Sequence, residues 1–262
     1  MHAAAAQASL HARTSSSRAA GSRACGGALL ALLVLVFGCA GPGRHAATDL
    51  PPHKLEALRA DSMRALPPEE LGQFRDSDLV EVVTLEPTLR LDVRYATRDN
   101  MLRWPVYGEA RVFLQRPAAE AVVRAHRALQ PQGYGLLLFD GYRPWYVTRI
   151  FWYAVERENR AFVADPEQAS RHNRGCAVDL SLYELATGKE VAMPSGYDEF
   201  SERAHPDYAG GTAPQRAARD LLRRTMEAEG FTVNDREWWH YDCRDWQQYR
   251  IENVAFKDIG TR

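Results

Sequence analysis

This 262-residue chain carries almost no net charge: 33 Lys and Arg against 34 Asp and Glu leave −1. Without a cationic excess there is no electrostatic footprint for nucleic acid, and that partner class is set aside. Cysteine is scarce as well. Of four, Cys25 and Cys39 fall in the first 39 residues, leaving Cys176 and Cys243 for the body. That excludes a small fold framed by disulfides. One bridge between the two remaining thiols is allowed, and so are two separate buried thiols. No apolar run reaches the roughly 20 residues that a membrane-spanning helix needs. No internal repeat is visible.

What is present suits one globular domain with an extension. Hydrophobic residues make up 45% of the chain, enough for a substantial core. Residues 1–27 hold Arg13, Arg18 and Arg23 and no acidic residue, and the apolar run "ALLALLVLVFGC" follows over 28–39. Its length and basic flank are those of a secretory signal peptide. Val36-Phe37-Gly38-Cys39 resembles a bacterial lipoprotein cleavage box, in which the cysteine becomes the lipidated N-terminus. Residues 1–39 are expected to be a signal peptide of that type, with a periplasmic or cell-envelope location. Membrane contact is expected only through a lipid at Cys39. Residues 40–78, rich in proline, glycine and charge, are expected to form a flexible tether with at most one short helix.

The body, 79–262, mixes helix and strand patterns. "LVEVVTL" (79–85) is expected as a strand for its β-branched content, and "LRLDVRY" (89–95) for its period-two alternation. In "RPAAEAVVRAHRALQ", Pro117 suits a first helical turn, and Ala118, Ala121, Val122, Ala125 and Leu129 form one apolar stripe. His126 in that helix is flanked by Arg124 and Arg127 and is expected on a solvated face. "GYGLLLFD" reads as a buried strand, followed by a helix from near Pro144. "GCAVDLSLYEL" is another strand. "APQRAARDLLRRTMEAEGF" is a helix opened by Pro214 and closed by Gly230, and "REWWHYDCRD" is a last strand or strand-turn. Strict βαβ alternation is missing. The expected class is α+β, a mainly antiparallel sheet flanked by helices.

Two stretches carry candidate chemistry. In "SRHNRGCAVD" (170–179), His172 sits in a polar turn and Asp179 in an apolar strand. A buried carboxylate needs a partner, and a metal is one. The bland reading is a capping histidine with a hydrogen-bonded aspartate. "EWWH" supplies Glu237 and His240. Residues three apart face opposite ways on a regular strand, so the strand must bulge or end there if the two share a site. Two histidines and one aspartate would leave a ligand position open, the pattern of catalytic rather than structural zinc. A glutamate beside such a site can accept a proton from the attacking water. In "DGYRP" (140–144), Arg143 at a strand end could stabilise an oxyanion with its rigid fork of donors.

Taken together these residues resemble the zinc D-alanyl-D-alanine dipeptidases (VanX-type metallopeptidases). The pattern S-x-H-x-x-G-x-A-x-D is met by Ser170, His172, Gly175, Ala177 and Asp179, and E-x-x-H by Glu237 and His240. "GYGLLLFDGYRP" and "YDEFSERAHP" also resemble stretches of that family. The similarity runs from about Tyr95 to Tyr241. The resemblance implies the D,D-peptidase and hedgehog-like α+β fold. It implies one zinc per chain on His172, Asp179 and His240, with Glu237 as catalytic base and Arg143 stabilising the transition state. Substrate contacts would fall on Tyr95, Ser170 and Asp198, with Phe151 lining the pocket and Asp198 accepting the ammonium of a small D,D-dipeptide. An exported enzyme of this kind would serve turnover or recycling of wall peptides rather than withhold precursors in the cytoplasm. Two other readings stand beside this one. One is a D,D-carboxypeptidase or endopeptidase acting on peptidoglycan. The other is a non-catalytic, lipid-anchored wall-binding module with a structural zinc.

Overall fold

The computed structural model describes residues 48–260. The expected signal peptide, its cleavage box with Cys39, the first residues of the expected tether and residues 261–262 lie outside the described residues. Among the described residues no helix is long and apolar enough to cross a membrane.

In chain order the elements are α1 (Pro52–Arg64), β1 (Leu79–Glu81), α2 (Val82–Leu85), β2 (Arg90–Leu91), β3 (Phe113–Gln115) and α3 (Arg116–Leu129). Then come β4 (Tyr134–Asp140), α4 (Trp145–Ala154), β5 (Ala177–Glu184), α5 (Ala213–Ala228), β6 (Phe231–Val233) and β7 (His240–Cys243). Five strands form one sheet in the order β2-β4-β5-β7-β6, and β1 pairs with β3 in a separate two-stranded ribbon. The short β2 runs parallel to β4, and the other pairings in both sheets are antiparallel. This is the mixed helix-and-sheet, mainly antiparallel architecture that the pattern predicts.

The centre of the sheet is β4 against β5. The run Leu136-Leu137-Leu138-Phe139 is almost wholly buried, as expected of a strand covered on both faces. Helices α3 and α5 pack together over one face. There the stripe from Ala118 to Leu129 meets Leu138, Leu180 and Leu222 in one core. The register of β4 on β5 slips once: Leu138 faces Leu180, but Asp140 faces Asp179. Phe139 is the extra residue of a bulge, and the slip brings Asp140 onto the same face as Asp179.

Several expectations are corrected. "LVEVVTL" is a strand only to Glu81; Val82 N–H then bonds the Val112 carbonyl, and the chain coils into α2. "LRLDVRY" keeps two strand residues before a 3-10 turn at Arg94–Ala96 turns Tyr95 inward. His126 is fully buried, not solvated. Its Nδ1 accepts from the Leu136 N–H at 3.0 Å and its Nε2 meets Thr88 Oγ1 at 2.9 Å, so the ring ties α3 to β4. Burial holds its pKa below the ordinary value.

The segment expected as a tether is packed in its described part. α1 lies on α4 and buries Leu55. Arg149 of α4 donates to Asp61 Oδ2 at 2.8 Å and to Ser62 Oγ at 3.0 Å. Glu70, further along, accepts from Arg174 at 2.6 Å and from the Ile251 N–H at 2.6 Å. The prolines at 51 and 52 start this helix rather than break it, because a first-turn N–H has no intrahelical partner to lose.

Candidate active site

The antiparallel register of β5 and β7 sets Asp179 directly across from His240. β7 begins at His240, and the three residues before it form a turn closed by the His240 N–H on the Glu237 carbonyl at 3.2 Å. The strand therefore starts where Glu237 and His240 must face the same way. Trp238 anchors the turn, with its indole N–H on Ser195 Oγ at 2.8 Å and its backbone N–H on the Ala204 carbonyl at 2.8 Å.

His172 comes from a 3-10 turn, Arg171–Arg174. Ser170 caps it: its hydroxyl oxygen accepts from the His172 N–H at 3.2 Å, while Asn173 Oδ1 accepts from the Ser170 N–H at 2.7 Å. The turn ends at Gly175 with φ +67°, a conformation that favours glycine, and a Cβ there would also crowd the Gln115 backbone nitrogen at 3.2 Å. Ala169 and Asp198, on the two loops flanking the site, also hold positive φ, +58° each. Non-glycine residues adopt that region at a cost and cluster at functional sites.

His172 Nδ1 lies 2.7 Å from the Gly141 carbonyl, and His240 Nε2 lies 3.0 Å from Asp242 Oδ1. Each acceptor calls for the proton on that nitrogen, which leaves His172 Nε2 and His240 Nδ1 as lone-pair atoms facing inward. These two are 3.1 Å apart, and Asp179 Oδ1 is 3.4 Å from the first and 3.1 Å from the second. A tetrahedral ion with bonds of about 2.0–2.1 Å spaces its ligand atoms roughly 3.3–3.4 Å apart. Asp179 Oδ1 is buried and has no hydrogen-bond partner, whereas Oδ2 accepts from Tyr197 at 3.1 Å. Unpartnered buried carboxylate oxygens are rare, and two imidazoles and one such oxygen in this array fit a divalent cation.

Electrostatics separate the acids. Burial works against charge on Asp179, but His172 and His240, when protonated, outweigh it and hold the carboxyl well below the usual range. Glu237 is not one of the three ligands; its Oε2 is 3.6 Å from His240 Nδ1 and its side chain is 24% exposed. Burial raises its pKa against the pull of His240, which suits a group that must take up and release a proton. Asp198 is pushed up to about 8, by burial first and then by the charge of Asp179. It accepts from the Tyr95 hydroxyl at 2.9 Å.

Arg143 is buried and held by Asp140 Oδ2, at 3.0 Å to Nε and 2.7 Å to a terminal nitrogen. The other Asp140 oxygen accepts from Tyr107 at 2.8 Å and from the Gly141 N–H at 2.9 Å. The guanidinium lies over Phe151 and Tyr95, 4.9 and 5.5 Å from their ring centres, and 4.0 Å from Asp179 Oδ2.

The nine residues singled out from sequence (His172, Asp179, His240, Glu237, Arg143, Tyr95, Ser170, Asp198 and Phe151) all line one cavity of about 410 Å³. Five supporting residues escaped that reading. Asp242 shares a strand face with His240 two residues on, and a period-two reading of "HYDC" could have found it. Asp140 could have been found as the i−3 partner of Arg143. Tyr197 and the Phe162–Phe200 stack, 4.6 Å between ring centres at the cavity wall, left no local signal.

The family model for M15 peptidases, described as D-ala-D-ala dipeptidase, matches residues 75–256. The chain is 37% identical to a D-alanyl-D-alanine dipeptidase of Enterococcus faecium, covering 60% of this chain and 87% of that protein. It is 31% identical to one of Escherichia coli K12, covering 67% and 89%. With one of Streptomyces coelicolor the identity is 34% over 64% and 92%. Among solved structures, an LD-carboxypeptidase matches 71% of this chain and 79% of its own at 18% identity and a TM-score of 0.40, a likeness too distant to bear on the site.

Proposed function

The chain belongs to the M15 peptidase family of D-alanyl-D-alanine dipeptidases and is a metallopeptidase, and from that premise we propose that it hydrolyses the D-alanyl-D-alanine dipeptide to two D-alanines with zinc on His172, Asp179 and His240. The observation that carries the reading is the unpartnered Asp179 Oδ1 between two inward-facing imidazole nitrogens, with Glu237 beside them. Zinc in such a site supplies Lewis-acid activation of water and of the peptide carbonyl.

The chain's own groups do the rest. Asp198, with Tyr95 on its Oδ2, receives the substrate ammonium, whose own pKa near 8 matches a carboxyl held at about 8. That contact sets the scissile carbonyl beneath Arg143. Glu237 takes a proton from the attacking water and returns it to the leaving amine. Arg143, fixed by Asp140, presents donors to the carbonyl oxygen as negative charge develops there. Ser170 and Phe151 complete the wall, and the Phe162–Phe200 stack bounds it.

The fold is read as D,D-peptidase and hedgehog-like, and the basic, then apolar N-terminal stretch supports an exported protein anchored through Cys39 that serves wall-peptide turnover. N-terminal sequencing and lipid analysis of the mature protein test that placement; an intact leader in the cytosol overturns it. The activity is tested on the zinc-loaded chain with D-Ala-D-Ala, L-Ala-L-Ala and a D-Ala-D-Ala-terminated pentapeptide, beside Glu237→Ala. Free D-alanine from the D,D-dipeptide alone, lost in the variant, is the expected result. Cleavage of the pentapeptide instead makes it a carboxypeptidase, and no cleavage with zinc retained makes it a binding module.

A further inference from the structure

On the far side of the sheet from the metal ligands, β5 and β7 carry the two cysteines of the described chain. Cys176 immediately precedes β5 and Cys243 ends β7. The register Ala177↔Asp242, extended by one residue, sets them directly opposite. The Cys243 N–H bonds the Cys176 carbonyl at 2.7 Å, one of the two bonds of a hydrogen-bonded cross-strand pair, while the Cys176 N–H bonds the Arg171 carbonyl at 3.3 Å. Such pairs hold their Cα atoms about 5.5 Å apart, inside the roughly 4.4–6.8 Å that a disulfide spans. Both thiols are free and they touch each other. Cys176 is buried and Cys243 partly exposed, and both line a cavity of about 260 Å³ together with Arg244 and the ion pairs Arg75–Asp245 and Arg124–Glu229.

We propose that Cys176 and Cys243 are an oxidisable pair that closes into a disulfide and thereby clamps the two strands bearing Asp179 and His240. Asp179 lies three residues after Cys176, and His240 three before Cys243, so the bridge would fix the register that sets these two ligands face to face. The oxidant is a small disulfide such as oxidised glutathione, which meets Cys243 at that cavity. The Cys243 thiolate attacks one sulfur of that disulfide and displaces a thiolate, leaving Cys243 in a mixed disulfide. Cys176 then loses its proton and attacks the Cys243 sulfur, displacing the second thiolate. One S–S bond breaks and one forms. Two electrons pass to the oxidant, which leaves as two thiols. Contact with Cys243, then burial, raises the Cys176 thiol well above its ordinary range, and the first step removes the thiol contact. The pairing does not depend on which peptide the site cleaves.

The test takes the full zinc-loaded chain, incubates it with oxidised glutathione or with reductant, and digests it with trypsin without reduction. The expected product is peptide 175–189 joined to peptide 237–244, absent after reduction and absent in Cys243→Ser. Because the bridge closes 66 intervening residues, the oxidised form should melt higher by on the order of 10 °C. It should also release its metal more slowly to a chelator, and neither change should appear in Cys176→Ser or Cys243→Ser. A stable glutathione adduct on Cys243, bridges to Cys25 or Cys39, or two unmodified thiols overturn the pair. The joined peptides without a change in melting or metal release overturn the clamp.

Discussion

Asp198→Asn separates binding from stability at one atom. The folded carboxyl stands at about 8 against an ordinary 3.8. A folded value above the unfolded one means that the ionised form is the penalised form. The chain is most stable on the acid side and loses stability as pH rises from about 4 to about 8. Between pH 5 and pH 9 the full linkage is roughly 4 kcal/mol. Asp198 is partly exposed, and solvent screening brings this to about 2 kcal/mol. Asparagine keeps an oxygen for the Tyr95 hydroxyl and cannot ionise, so it removes the penalty without removing the contact. Urea unfolding of metal-free wild type and variant at pH 5 and pH 9 should therefore show the variant gaining about 2 kcal/mol on wild type across that interval. The variant should also lose most of its kcat/KM for D-Ala-D-Ala, because the ammonium loses its counter-charge. A stability difference that does not change with pH, or a variant that weakens at pH 9, would refute the argument that this carboxyl is held for a cation it does not yet have.

Arg143→Lys should lower kcat/KM by about 10²–10³ with zinc content unchanged, since an ammonium can neither reproduce the fork held by Asp140 nor keep the same aim; activity within a few-fold of wild type would speak against the oxyanion role. Asp242→Asn should weaken zinc binding by about 10–100-fold in competition with a chelator, because Asp242 fixes which His240 nitrogen carries the proton; an unchanged affinity would make Asp242 a bystander. Stripping the metal should lower the melting temperature and zinc should restore it, with zinc affinity falling as pH drops and the ligand imidazoles protonate; a melting temperature indifferent to zinc would remove the ion from the site.

The candidate metal ligands were legible because their surroundings contradict their chemistry: Asp179 is a charge inside an apolar strand, and His240 ends a run of tryptophans. The central strand and the helices α3, α4 and α5 were legible from apolar runs and punctuation by proline and glycine. Where local pattern and tertiary demand disagree, the pattern misleads. His126 sits between two arginines, yet it is four residues after Val122 on the buried stripe, and its ring accepts a backbone N–H from β4. The β-branched run at 82–85 coils because the ribbon it leaves is only three residues long. The prolines before α1 look like breakers until Leu55 is seen against α4. Tyr197 reaches Asp179 from a loop 18 residues away, and no periodicity could carry that.

The slip at Phe139 decides which face of the sheet carries the charge. Were Phe139 to pair with Asp179 in regular register, Asp140 would stand across from Val178, on the face away from Asp179, with Arg143 drawn after it. The bulge instead returns Asp140 to the face of Asp179 and leaves Phe139 stacked on Tyr197, 4.5 Å between ring centres. A substitution in the cavity alters what meets the substrate, whereas a shift of the bulge would alter where the arginine is aimed.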